Sequence, residues 1–360
     1  MKPIYSTIIV KIGTNALLTQ EQLLNTQILD QMVSQLAKLH QKGLKVILVS
    51  SGAMGSARKL VPHSSKHNPI EERQLLAAVG QVELMFAYKN AFAKYGITIA
   101  QVLATKEDFR SRKHYLNMRQ CFQVLIEENI IPIVNENDVV SIEELMFSDN
   151  DELAGLVSSM IQASALIFLT NVDGVYDQME SGKQAKLLTT IDPDNILKSV
   201  RFGSKSSFGR GGMRTKVETA KKLSILGIPT HIVNANAENI LIDILNGKSV
   251  GTLIPAKQSR HSRSQHWVAN SQGHQKGEIV IDAGAAKVIS ADKPANLLPI
   301  GIKSSHGKFE KGDIVSVCNE HNQLIGMGKA SYGSETLAKY IGKSGHQAFI
   351  RCDYFFPVNT

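Results

Sequence analysis

Two periodicities alternate along the first 255 residues. Short β-branched runs such as TIIVKIG (7–13) and KVILVSSG (45–52) end in glycine. Between them, TQILDQMVSQLAKLHQKG sets Ile28, Met32, Leu36 and Leu39 on one helical stripe, with Gly43 just past its end. The alternation recurs. A helical stretch at 71–95 stops at Gly96 before ITIAQVLAT, 114–128 leads to IIPIVNEND, 150–163 to ALIFLTNV, and 213–226 to IPTHIVNA. Near-continuous apolar strands separated by helices predict an α/β fold, with a mainly parallel sheet covered on both faces as a three-layer αβα sandwich.

The grammar changes after KQSRHSRSQHW (257–267), which is polar, basic and aperiodic. Beyond it come short strands with turns: GEIVIDAG, LLPIGIKSSHG and FEKGDIVSVCNEHNQLIGMGKASYG. The expectation is a first domain at 1–256, a solvent-exposed linker at 257–267, and a small, mainly-β, barrel-like domain at 268–360.

Composition narrows the class only a little. The 360 residues are 43% hydrophobic and 20% charged, which suffices for a buried core without staples. Three scattered cysteines, Cys121, Cys318 and Cys352, form no CxxC and suggest reduced thiols. MKPIYSTIIVKIG reaches Lys11 after too short an apolar run for a signal peptide, and no stretch approaches a membrane span. A cytoplasmic protein without a membrane partner is expected. The net charge of +8 suits nucleic acid, but equally an enzyme with polyanionic substrates.

In parallel sheets, ligands collect at the carboxyl ends of strands, and the polar clusters 11–13, 50–52, 135–138 and 170–173 fall there. Lys11 is either a snorkelling edge residue or a cation aimed into the crevice, where Gly13 gives an anion access to the backbone. Ser51, Gly52 and Ala53 make a strand-to-helix turn suited to an anion, although a plain serine cap has the same signature. Asn135, Asn137, Asp138, Asp149, Asn150 and Asp151 crowd two loops. Capping accounts for one of them, and six exceed that need. Asp173–Gly174 is either a simple turn or part of a nucleotide site. The histidines show no metal spacing, and no protein metal site is expected. FGRGGMRTK (208–216) is not a Walker loop, since its glycines miss the GxxxxGK[ST] spacing.

Together these stretches match a family. IVKIGT (9–14), SSGAMG (50–55), RQLLAAVGQ (73–81), NENDVV (135–140), SDND (148–151), NVDGVY (171–176) and GGMRTK (211–216) resemble the amino acid kinases, and within them the glutamate 5-kinases. GEIVIDAGAAKVI (277–289), LLPIGIK (297–303) and FEKGDIV (309–315) resemble the PUA module found in many of them. The resemblance covers essentially the whole chain. It implies the amino acid kinase fold and ATP-dependent phosphorylation of the L-glutamate side-chain carboxylate, the first step of proline biosynthesis.

Carried over, the resemblance assigns Lys11 and Lys216 to the phosphates and the transferring group, with Asp151 as an acid that orients both lysines. Ser51, Asp138 and Asn150 match glutamate-binding positions. Thr170 and Asn171, with Arg210, Gly211, Gly212, Met213, Arg214, Thr215 and Lys216, match nucleotide-binding positions. The chain departs from the family at Asn171, where aspartate is common, at Arg210 and Arg214, and at DQME after Tyr176. These departures lie on the nucleotide side. Mg²⁺ is implied as the companion of ATP, held mainly by phosphates and water. The resemblance further implies a homo-oligomer, dimer or tetramer, and a partner reductase (glutamate-5-semialdehyde dehydrogenase) for the labile product. Aspartokinase and acetylglutamate kinase share fold and chemistry, but the terminal module and NENDVV favour the glutamate 5-kinases. RNA binding through the PUA module is a rival from another class. Residues 261–360 hold eleven Lys/Arg against eight Asp/Glu, an excess of only three.

Overall fold

The computed structural model describes residues 4–61, 68–140, 149–177, 185–195, 212–257, 262–270, 275–291 and 295–358. Two compact units divide the chain, Met1–Arg260 and His261–Thr360. In the first unit the strands are β1 (Thr7–Ile12), β2 (Lys45–Ser50), β3 (Ile99–Ala104), β4 (Ile131–Glu136), β5 (Ala165–Thr170), β6 (Val175–Tyr176), β7 (Leu187–Leu188), β8 (Thr230–Asn234) and β9 (Thr252–Ile254). Seven of these form one sheet in the order β3-β4-β2-β1-β5-β8-β9. All its pairings are parallel except β8 with β9. β6 and β7 form a separate antiparallel pair.

The apolar runs are central strands because both of their faces are covered. Ile8, Val10 and Ile12 of β1 pack into one core with Leu29, Leu36, Leu84, Tyr88 and Leu241. Those partners come from the helices Thr26–Gln41, Pro69–Ala93 and Ile240–Leu245. Alternate residues of a strand face the opposite side. There the helix Asn150–Ile161 packs on β1, β2, β4 and β5, and Met213–Ile225 packs beside it. Lys11 therefore points toward this second helix layer.

Local chemistry sets the helix starts. Asn68 and Glu71 make a reciprocal capping box at the head of Pro69–Ala93, and Asn25 accepts from Ile28 N at the head of Thr26–Gln41. Two glycines fix the turn after β2. Gly52 has φ +101°, a left-handed conformation that glycine adopts without strain. A Cβ on Gly80 would lie 1.7 Å from the Ala53 carbonyl oxygen, so only glycine lets the long helix press against Ala53–Ala57.

The second unit is a five-stranded sheet of β10 (Gly277–Ile281), β11 (Ile302–His306), β12 (Ile314–Cys318), β13 (Leu324–Lys329) and β14 (Phe355–Pro357). Its order is β11-β10-β12-β13-β14, antiparallel except for β10 with β12. Ile279, Ile281, Val315, Val317, Phe349 and Phe355 fill its core.

One expectation needs correction. Part of the stretch expected as an exposed, aperiodic linker is a helix, Arg263–Asn270, which buries His266, Trp267 and Val268 against this unit. Ser262 Oγ donates to Asp353 O at 3.2 Å and Gln265 Nε2 to Phe355 O at 3.0 Å, which ties the helix start to β14 and to the turn Cys352–Tyr354 before it. Eight residues with a single apolar cluster carry no legible period, and their order comes from packing. Among the described residues, no helix is long and apolar enough to cross a membrane.

Candidate active site

Lys11 sits one residue before the end of β1, flanked by Val49 of β2 and Phe168 of β5 in register. A cation on a central strand needs an anion, and helix geometry supplies one. Asp151 stands in the first turn of Asn150–Ile161 and is fully buried. Its Oδ1 lies 2.5 Å from Lys11 Nζ. The other oxygen, Oδ2, accepts from Lys216 Nζ at 2.8 Å. Lys216 is the fourth residue of Met213–Ile225 and reaches down past Phe168, whose ring centroid is 5.8 Å from its amine. One carboxylate thus spans two ammonium groups, and all three residues are under 10% exposed.

The electrostatics follow from burial and proximity. Burial is the strongest influence on Asp151 and opposes its ionisation. The two lysines and their hydrogen bonds together outweigh it and hold this carboxyl below the usual carboxylate range. For Lys11 the balance tips the other way. Burial, with Lys216 adding repulsion, pulls its ammonium below the ordinary lysine value despite Asp151. Asp149 is pushed up, first by burial and then by the neighbouring charge of Asp151.

Asp149 and Thr215 lock the two helices in this arrangement. Asp149 caps Asn150–Ile161, its Oδ1 accepting from Asp151 N at 2.7 Å and Glu152 N at 3.1 Å. The Thr215 hydroxyl lies 2.7 Å from Asp149 Oδ2, 2.9 Å from Gly212 O and 3.1 Å from Asp151 Oδ2. Its single proton chooses among three acceptors that all belong to the two helix starts. Lower down, a Cβ on Gly155 would come within 2.5 Å of Thr219 Cγ2, so this glycine permits the close helix contact.

A second polar cluster lies beside the first. Asn150 Nδ2 donates to Ser51 Oγ and to Asn135 Oδ1, each at 2.9 Å. Asn135 in turn donates to Gln81 Oε1 at 2.9 Å. Asp138 is ion-paired with Arg73, which also lies 3.6 Å from Glu136.

The expected site residues are placed unevenly. Lys11, Asp151, Thr215 and Lys216 converge, and Ser51 and Asn150 touch each other at their margin. Thr170 ends β5 with its hydroxyl closing a turn onto Val172, and Asn171 beside it is exposed. Gly212 is the N-cap of Met213–Ile225, with no side chain to cap the first N–H groups, and Met213 follows half-buried. Arg214 turns outward and pairs with Glu218 at 2.8 Å. Arg210 and Gly211 lie outside the described residues. Gln81 and Arg73 were not anticipated as site residues. The signal for them was present, since they bound the RQLLAAVGQ stretch of Pro69–Ala93 eight residues apart, and so on one face.

Residues 6–234 match the model of the amino acid kinase family, and residues 277–348 match that of the PUA domain. Three relatives matched over most of their length are glutamate 5-kinases. The glutamate 5-kinase of Chlorobaculum tepidum is 46% identical over 359 residues, covering 99% of this chain and 98% of the relative. That of Bacteroides thetaiotaomicron is 40% identical and covers 99% of both chains. That of Pelobacter propionicus is 36% identical, with 93% of this chain and 90% of the relative covered.

Removing the shared carboxylate leaves two buried ammonium groups facing each other. Asp151→Asn is expected to cost on the order of 3 kcal/mol, as for the loss of one partner in a buried pair. For a unit of this size that lowers the melting temperature by about 6–12 °C. Tripolyphosphate, as a replacement anion, should raise the variant's melting temperature more than the wild type's. An Asp151→Asn protein with wild-type melting behaviour in both conditions would show that the carboxylate does not balance the lysines.

Proposed function

The chain belongs to the amino acid kinase family and, within it, to the glutamate 5-kinases; from that premise we infer that phosphoryl transfer takes place at the Lys11–Asp151–Lys216 cluster. The activity is ATP-dependent phosphorylation of the L-glutamate side-chain carboxylate to γ-glutamyl phosphate. Full-length similarity favours it over aspartokinase or acetylglutamate kinase.

One observation carries the assignment of the site: two buried ammonium groups share a single buried carboxylate. ATP and glutamate are both anionic, and bringing them together requires cations at the point of transfer. A glutamate carboxylate oxygen attacks the γ-phosphorus, the bond to the bridging oxygen breaks, and ADP leaves with that electron pair. The attacking group is already ionised, so no general base is needed. Lys11 and Lys216 stabilise the charge that spreads over the transferring group, in a buried setting where such stabilisation is strong. Asp151 fixes where the two amines sit.

The uncapped N–H groups after Gly212 face the same helix start as Lys216 and suit phosphate oxygens. Thr170, Asn171 and the segment 210–216 are assigned to the nucleotide, with Arg214 at its solvent edge. Ser51, Asp138 and Asn150 are assigned to glutamate. Magnesium enters as part of the ATP substrate, its ligands mainly phosphate and water. The acyl phosphate product is labile, which favours a reductase partner, and the family resemblance carries the expectation of an oligomeric, cytoplasmic enzyme.

Trapping the product with hydroxylamine tests the assignment. Glutamate should yield hydroxamate in the presence of ATP, and aspartate, one methylene shorter, about 10²-fold less, because a misplacement of ~1 Å costs that much. Equal turnover of the two would contradict it.

The pH profile tests Lys11. Its ammonium is required, and burial lowers its pKa, so activity is complete below that pKa and lost as pH rises through it. The alkaline limb of kcat/KM for ATP, which reports the unliganded enzyme, should fall below the ordinary lysine range. In kcat the limb should move upward, since bound phosphates favour the ammonium. A limb at the ordinary lysine value, unmoved by saturation, would remove Lys11 from this role.

A further inference from the structure

Three amides behind Ser51 carry an inference about how the amino acid substrate is read, and it rests on the glutamate phosphorylation proposed above. Each amide's orientation is dictated by a group that cannot change role. The backbone N–H of Glu136 can only donate, and it meets Asn135 at 2.9 Å, so the atom it meets is Oδ1. The other end of Asn135 is then its NH₂, 2.9 Å from Gln81, which must present Oε1. Asn150 approaches Asn135 Oδ1 at 2.9 Å and the Ser50 carbonyl at 3.3 Å. Two acceptors require a donor, so Asn150 turns Nδ2 toward them and toward Ser51 Oγ. Both of its N–H groups are then occupied. Its Oδ1 faces away, buried and without a hydrogen-bond partner among the described residues.

A buried acceptor left unmade is costly, and such an atom in a site calls for a donor. Among the groups of an α-amino acid, the ammonium donates and the carboxylates do not. Asp138, assigned above to the same substrate, already shares its charge with Arg73, so Asn150 Oδ1 is a second acceptor for the ammonium beside it. We propose that Gln81 is a positioning residue that, by accepting from Asn135 Nδ2, holds the relay so that Asn150 Oδ1 faces the substrate's α-ammonium group. An apolar side chain at 81 would strand the Asn135 NH₂, which is buried with its residue only 3% exposed. Rotation would set that NH₂ against the Glu136 N–H, so the relay relieves it by shifting instead. The shift carries Asn150 with it through Asn135 Oδ1 and draws Asn150 Oδ1 out of line with the ammonium.

The test compares glutamate with glutarate, the same skeleton without the ammonium, as a competitive inhibitor. Gln81→Met should raise the glutamate KM about 10- to 100-fold, the worth of one hydrogen bond to a charged group. The glutarate Ki, the ATP KM and kcat should each change by less than about threefold, since none of them depends on that bond. Gln81→Glu keeps the acceptor for Asn135 and should hold the ratio of glutarate Ki to glutamate KM within about threefold of wild type. A parallel weakening of glutamate and glutarate, an unchanged glutamate KM, or a Gln81→Glu variant that loses the ratio as Gln81→Met does would overturn the proposal. Wild-type enzyme that does not phosphorylate glutamate would sink the proposed activity instead, a result read before any variant is made.

Discussion

The first unit is organised around one buried carboxylate that holds two buried ammonium groups. Asp151 binds Lys11 through one oxygen and Lys216 through the other. Neither lysine would rest in so dry a place alone, because an unpaired buried charge is costly. The triplet works only if a strand and two helix starts meet within hydrogen-bonding distance. Much of the local architecture serves that meeting: the cap by Asp149, the Thr215 hydroxyl between the helices, and the close contact at Gly155.

The same constraint explains the chemistry. In the resting state Asp151 offsets one of the two positive charges, and the remaining one suits an incoming anion. When an anionic phosphoryl group arrives, each amine has a second acceptor to serve, and Asp151 keeps both from drifting toward solvent. The site is therefore prepared for the charge of the transition state without a residue that must change protonation. The other task, recognition of the acceptor's amino acid end, is the one proposed for the amide relay from Gln81 to Asn150.

The fold was largely legible in the sequence. The stripe Ile28, Met32, Leu36 and Leu39 forms the buried face of Thr26–Gln41, and the run ALIFLT is β5, buried along its whole length. Hydrophobic burial produces such periods directly. Arg263–Asn270 was not legible, because a short helix with one apolar cluster has no period and gains its order from β14. For the candidate site, the polar strand ends marked the place but not the pairings. Arg73 meets Asp138 across 65 positions of sequence, and Lys216 meets Asp151 across the same separation. Such contacts depend on how helices dock, and no local pattern records that. Asp151 among six clustered polar residues acquired a role only through the family resemblance, and Gln81 acquired one only from its hydrogen bond.

The central claim is that Lys11 and Lys216 act as one unit through Asp151. If either is removed, Asp151 pairs fully with the survivor and draws it away from the phosphoryl group. Single-turnover rates for Lys11→Met, Lys216→Met and the double variant test this most directly. Each single variant should lose about 10²- to 10³-fold, the scale of one preorganised donor. The double variant should lose less than about tenfold beyond the worse single, as for residues that act together. Losses that multiply in the double variant would show two independent cations and contradict the account.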